Sequence, residues 1–99
     1  MNTLVSLEID RLLLQKGIDM PVSPTIADVV MWLYEKHKIW IYVTIFQTET
    51  QFYCQSWIEI PYKETICLKT GKISHTPSAF NSPAEAYEAA IKYTLKNLI

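Results

Sequence analysis

The chain is poor in the residues on which small active sites are usually built. It has two glycines, Gly17 and Gly71, too few for the glycine-rich turns that cradle phosphates. Its two cysteines, Cys54 and Cys67, make no disulfide framework. With only His37 and His75 besides, there is no Cys-x-x-Cys or His-x-x-x-His pair to seed a zinc site. No Gly-x-Ser-x-Gly elbow is present; Cys54 falls in an expected core strand and His75 in an irregular stretch, so neither makes an evident nucleophile and base pair. No excess of one charge exists either. Nine Lys and Arg against ten Asp and Glu leave a formal net charge of −1, so no overall basic field holds a polyanion. Apolar runs are only a few residues long, which excludes a membrane-spanning helix. Glu8 and Asp10 interrupt what would have to be a signal core, so no targeting segment is expected there. These absences point to a cytoplasmic, reduced setting, with both cysteines as small strand hydrophobes. They also point away from an enzyme, a metal centre and a cofactor.

What is present is material for one core. Ninety-nine residues, 49 % of them apolar and 19 % charged, suit a single folded domain over 1–99. The centre of the pattern is 39–60, which reads as two strands, IWIYVTIF and QFYCQSWIEI, around the polar loop Gln47–Thr50. Ile39, Ile41, Val43 and Ile45 alternate with Trp40, Tyr42, Thr44 and Phe46. With Phe46 opposite Gln51, Trp40 faces Trp57, Tyr42 faces Gln55 and Thr44 faces Tyr53. One side of the hairpin is then aliphatic, and the other gathers Trp40, Tyr42, Tyr53 and Trp57. Glu64–Lys69 forms a third strand, Thr70-Gly71 a turn, and 72–81 an irregular stretch.

Helices flank the sheet. Thr3–Lys16 reads as a Leu-rich helix capped by Thr3 and closed by Gly17, with apolar positions on more than one stripe. A second helix starts at Ser23 or Thr25; Thr25 with Asp28 makes a capping box, and Ser23-Pro24 fits a cap and first turn equally well. Ile26, Val29, Val30, Leu33 and His37 form its core stripe. The third begins at Ser82-Pro83 with Glu85 three after the cap. Its buried stripe is Tyr87, Ile91, Thr94, Leu95 and Leu98, Ala86 and Ala90 allow close approach, and Glu88 with Lys92 is spaced for an ion pair. The expected fold is α+β, a three-stranded antiparallel sheet in α-β-β-β-α order with two helices on one face. The N-terminal helix (1–17) is an addition near the aromatic side.

The order over 25–98, together with SPAEAYEAAIKYTLKNL, resembles the double-stranded-RNA-binding domain and its closing helix. Pro83 and Ala84 stand where that family opens the helix with phosphate-binding lysines, and Gln47-Thr48-Glu49-Thr50 replaces its contact loop. The resemblance therefore implies the shape and not the RNA contacts. The whole chain is also similar to small proteins encoded in Bacteroides genomes and their phages, through Pro24-Thr25, Trp32-Leu33-Tyr34-Glu35-Lys36-His37 and Glu85 to Ile99. That similarity implies a phage or mobile-element origin and assigns no activity or site residues.

The aromatic side demands a cover, because each ring hidden removes ~150–250 Å² from water. The first helix folding back, a second copy of the chain, or an open platform for stacked bases would each supply a role for it. The expectation is a non-enzymatic accessory protein that self-associates or binds an unidentified protein. The alternative is a nucleic-acid module using Lys63, Lys69 and Lys72, whose bland reading is a solvated strand edge.

Overall fold

The structure, a computed structural model, describes residues 3–47, 49, 52–63, 65–68, 80 and 82–99, with the side chains of Phe46, Gln47, Phe52 and Tyr53 outside that set. Lys69, Lys72, His75, the Thr70-Gly71 turn and most of the 72–81 stretch lie outside the described residues. The elements are α1 (Leu7–Gln15), α2 (Ile26–His37), β1 (Trp40–Gln47), β2 (Phe52–Glu59), β3 (Thr65–Leu68) and α3 (Pro83–Asn97). The fold is α+β, with an open antiparallel sheet in the order β1-β2-β3.

Local chemistry explains the helix ends. Ser6, not Thr3, caps α1, its Oγ accepting from the Ile9 N–H at 3.3 Å. The reason lies in the segment before it. Val5 N–H donates to Pro24 O, and Thr3 O accepts from Ile26 N–H at 2.8 Å, so Thr3 is spent pairing with the start of α2. That bond also satisfies the first N–H of α2, which has no partner inside its helix. At the other end of α1, Gly17 has φ 67°, with its N–H bonded to Leu14 O and the Ile18 N–H to Leu13 O. This is a Schellman closure, and glycine suits it through backbone conformation. A Cβ there would meet nothing within 4 Å.

For α2 the choice falls on Thr25. Its hydroxyl accepts from Asp28 N–H at 3.1 Å and Asp28 accepts from Thr25 N–H at 2.8 Å, while Ser23 sits at φ 53°, outside a cap's extended geometry. Ser82 caps α3 by accepting from Glu85 N–H at 3.1 Å, ahead of Pro83.

The hairpin keeps its two sides but not its expected register. Trp40 lies opposite Glu59, Ile41 opposite Ile58, Tyr42 opposite Trp57 and Thr44 opposite Gln55. Each partner is displaced two residues from the expected one, and an even slip leaves every side chain on its side. Along β3, Ile66 and Leu68 join the aliphatic side opposite Ile58 and Ser56, and Cys67 sits opposite Trp57. Pro61–Lys63 makes the turn between β2 and β3, with Tyr62 at φ 59° and Lys63 N–H bonded to Ile60 O.

All three helices gather on the aliphatic side. Ile26, Val29 and Leu33 of α2, Ile91 and Leu95 of α3, and Ile9 and Leu13 of α1 form one core with Ile41 and Ile58. Each such side chain contributes ~1.5–3 kcal/mol when taken fully out of water, which makes this packing the main support of the fold. Ala86 and Ala90 are fully buried, so α3 approaches the sheet closely. A smaller cluster of Cys54, Phe80 and Ala86 closes the far end, where Phe80 exchanges two backbone hydrogen bonds with Cys54. Phe80 lies in a stretch with no readable period, and its place was not legible in the sequence.

Three further expectations about helices are corrected. The first helix does not lie near the aromatic side. It packs on α3, running in the same direction: Ser6 meets Glu88, Glu8 meets Lys92 and Lys96, and Lys16 meets the carbonyl of Ile99. Ile9 and Leu13, one turn apart, are its buried positions, and Leu7 and Leu14 point to solvent at 76 and 72 % exposure. Glu88 does not pair with Lys92; it accepts from Ser6 N–H, and Lys92 turns to Glu8. His37 is the third correction, because it is exposed and leaves the core stripe. The chain reverses at Lys38 (φ 57°) and Ile39, bonded to Leu33 O, enters the core in its stead.

Candidate functional site

The side of the sheet away from the helices carries the candidate site. β1 contributes Trp40, Tyr42 and Thr44, β2 contributes Gln55, Trp57 and Glu59, and β3 contributes Thr65 and Cys67. Strand alternation alone brings them together. At its centre the rings of Tyr42 and Trp57 stack, 6.2 Å between centroids and 10° from parallel. Trp57 Nε1 donates to Thr44 Oγ1 at 2.8 Å, and Tyr42 Oη donates to Glu59 Oε1 at 3.2 Å. Both are diagonal cross-strand contacts, so neighbouring strands lock each ring's polar edge. Partial desolvation and the hydrogen bond to the Glu59 carboxylate together raise the Tyr42 phenol above its usual pKa. The result is a preset aromatic surface with its hydrogen-bonding groups engaged within the sheet.

Of the four rings expected here, Trp40, Tyr42 and Trp57 are described, and all three share this side. Trp40 stands at its margin and meets Tyr34 of α2 edge-on, at 5.3 Å and 74°. Lys38 Nζ lies 5.6 Å from the Tyr34 ring centroid, within range of a cation–π contact. Tyr53 holds a register position on the same side, opposite Phe46, and its side chain is outside the described residues. A groove of about 600 Å³ opens beside Trp40, lined by Met31, Tyr34, Glu59 and Pro61. Met31 and Tyr34 were not singled out in the sequence. Apolar side chains three apart and off the core stripe of α2 were the available signal.

The other expected site residues do not assemble within the described set. Lys63 is exposed in the β2–β3 turn, and Lys69 and Lys72 lie outside the described residues. Cys54 is fully buried on the helix side, and burial pushes its thiol pKa up, with Glu85 adding to the shift. Cys67 is half-buried on the opposite side, so the sheet separates the two cysteines, and neither is in a disulfide. His37 packs against Trp32 at 5.3 Å. Among the described residues no group of three His, Cys, Asp or Glu could hold a metal ion, and no helix is long and apolar enough to cross a membrane.

Comparison of the chain with protein-family models, with curated proteins and with solved structures finds no match.

Proposed function

We propose that this protein works by binding rather than by catalysis, as a small accessory protein that self-associates and offers a sheet surface to a protein partner. One observation carries the reading: among the described residues all three helices sit on one side of the sheet, and none of them covers the Tyr42–Trp57 stack and Trp40. Aromatic rings held rigidly at low entropic cost are the usual anchors of protein interfaces. The buried, pKa-raised Cys54 is the reverse of an activated nucleophile, which fits a non-catalytic role. The phage or mobile-element origin implied by the Bacteroides similarity belongs to this proposal, and the genes beside this one would test it. Light scattering across a concentration series tests self-association directly. A strict monomer at every concentration defeats it.

A second reading is a nucleic-acid module of double-stranded-RNA-binding shape. It is favoured by the order α2-β1-β2-β3-α3 with both of those helices on one sheet face. Its contacts would differ, since Pro83 and Ala84 open α3 where lysines would be needed. Mobility shift against RNA and DNA over a salt series decides it, because phosphate contacts must weaken as salt rises.

A further inference from the structure

We infer that the outer edge of β1 is the seam at which two copies of this chain join, their sheets merging across a two-fold axis. The inference rests on the self-association proposed above and names its surface.

A sheet edge presents unpaired N–H and C=O groups, and folded proteins blunt it with shortness, charge, proline, a bulge or a cover. β1 uses none of the first four. It runs eight residues, WIYVTIFQ, with no charged residue and no proline. Its register against β2 is unbroken from Trp40↔Glu59 to Gln47↔Phe52, so no bulge turns it away. Among the described residues no backbone group outside β2 bonds to it. At its far end Ile45 is 56 % exposed although it lies on the helix side. The opposite edge differs, because β3 is only four residues long and Phe80 continues that flank by pairing with Cys54.

The occupant that fits is β1 of a second copy. Antiparallel self-pairing puts like side with like only when it is centred on a residue rather than between two. Centred on Val43, it sets Ile45 opposite Ile41 of the second copy, and Tyr42 opposite Thr44 of the second copy. No like charges meet, since the strand carries none. The arrangement also closes: a two-fold seam consumes both long edges and leaves short ones outward, whereas head-to-tail pairing would propagate. The aromatic sides of the two sheets then become one continuous surface.

The test uses the full chain. Light scattering should find a dimer that Ile45→Lys weakens by ~10-fold or more in dissociation constant, as a lysine on an edge opposes strand pairing. Circular dichroism must show that variant folded. Hydrogen exchange on the unaltered protein gives a second reading that needs no variant: β1 amides should gain protection as concentration rises while α1 amides do not. A dimer that a folded Ile45→Lys protein retains, or whose β1 amides ignore concentration, overturns the seam and leaves self-association standing through another surface. A strict monomer overturns both, and would leave β1 to a strand from a different protein.

Discussion

Glu88 of α3 accepts the backbone N–H of Ser6 at 2.9 Å, across 82 positions of chain. Ser6 caps α1, so a side chain from the last helix fixes where the first one begins. Glu88→Ala should therefore loosen α1 at its start. Hydrogen bonds to charged acceptors contribute ~1.5–3 kcal/mol, and this one is only part-buried, so the lower end applies. Urea unfolding measures the loss, and faster exchange of the Ser6 amide assigns it to α1. An unchanged midpoint would deny Glu88 this role.

The same helix pair carries a pH dependence. Hydrogen bonds and charge attraction from Lys92, then Lys96, hold the Glu8 carboxyl below the usual carboxylate range. A depressed folded pKa stabilises above the unfolded value and is lost as pH falls through the folded one. Acidification across that interval should weaken the α1–α3 contact, and Glu8→Gln should remove this part of the dependence. Chemical denaturation at several acidic pH values compares the two proteins.

The Tyr42 phenol shifts the opposite way. Because its folded pKa is raised, its contribution is complete below the unfolded value and declines as pH climbs through the folded one. Ultraviolet titration should show a late-ionising component that is lost in Tyr42→Phe. If both proteins titrate alike, the Glu59 contact does not hold the phenol in solution.

Ser56 sits fully buried on the helix side, and among the described residues its Oγ has no hydrogen-bond partner. A buried hydroxyl left unpaired costs ~1–3 kcal/mol, more than the small cavity left by its removal. Ser56→Ala should raise the melting temperature. A fall would mean that the hydroxyl is bonded after all, for example to an ordered water.

Leucines in two helices should respond in opposite degree. Leu33 has no exposed surface, and Leu33→Ala should cost ~2–5 kcal/mol. Leu14, 72 % exposed on the outer face of α1, should tolerate serine to within ~0.5 kcal/mol. A large loss at Leu14 would show that the outer face of α1 is covered, and by a second chain.

The aromatic side was readable from the chain because alternation is a property of the strand backbone. Trp40, Tyr42 and Trp57 had to share a side in any register differing by an even number of residues. Which ring stacks on which was not readable. The same alternation serves Trp40 opposite Trp57 and Tyr42 opposite Trp57 equally, and only the closing of the hairpin selects the second. Tyr34 reaches Trp40 from a separate helix, a meeting that no local pattern encodes.

By itself the amino-acid sequence determined what is decided within one or two turns of chain: the cap at Ser82, the start of α2 to within two residues, the reversal at Gly17, the strand pleat, and the buried face of α2 through Leu33. These depend on side chains three or four residues apart, or two along a strand. Tertiary structure alone decided the seat of α1 on α3, the exchange of Glu88 from Lys92 to Ser6, the exit of His37 and the entry of Phe80. Each is a competition between partners distant in sequence, settled by which surfaces remain open once the sheet and its two neighbouring helices have packed.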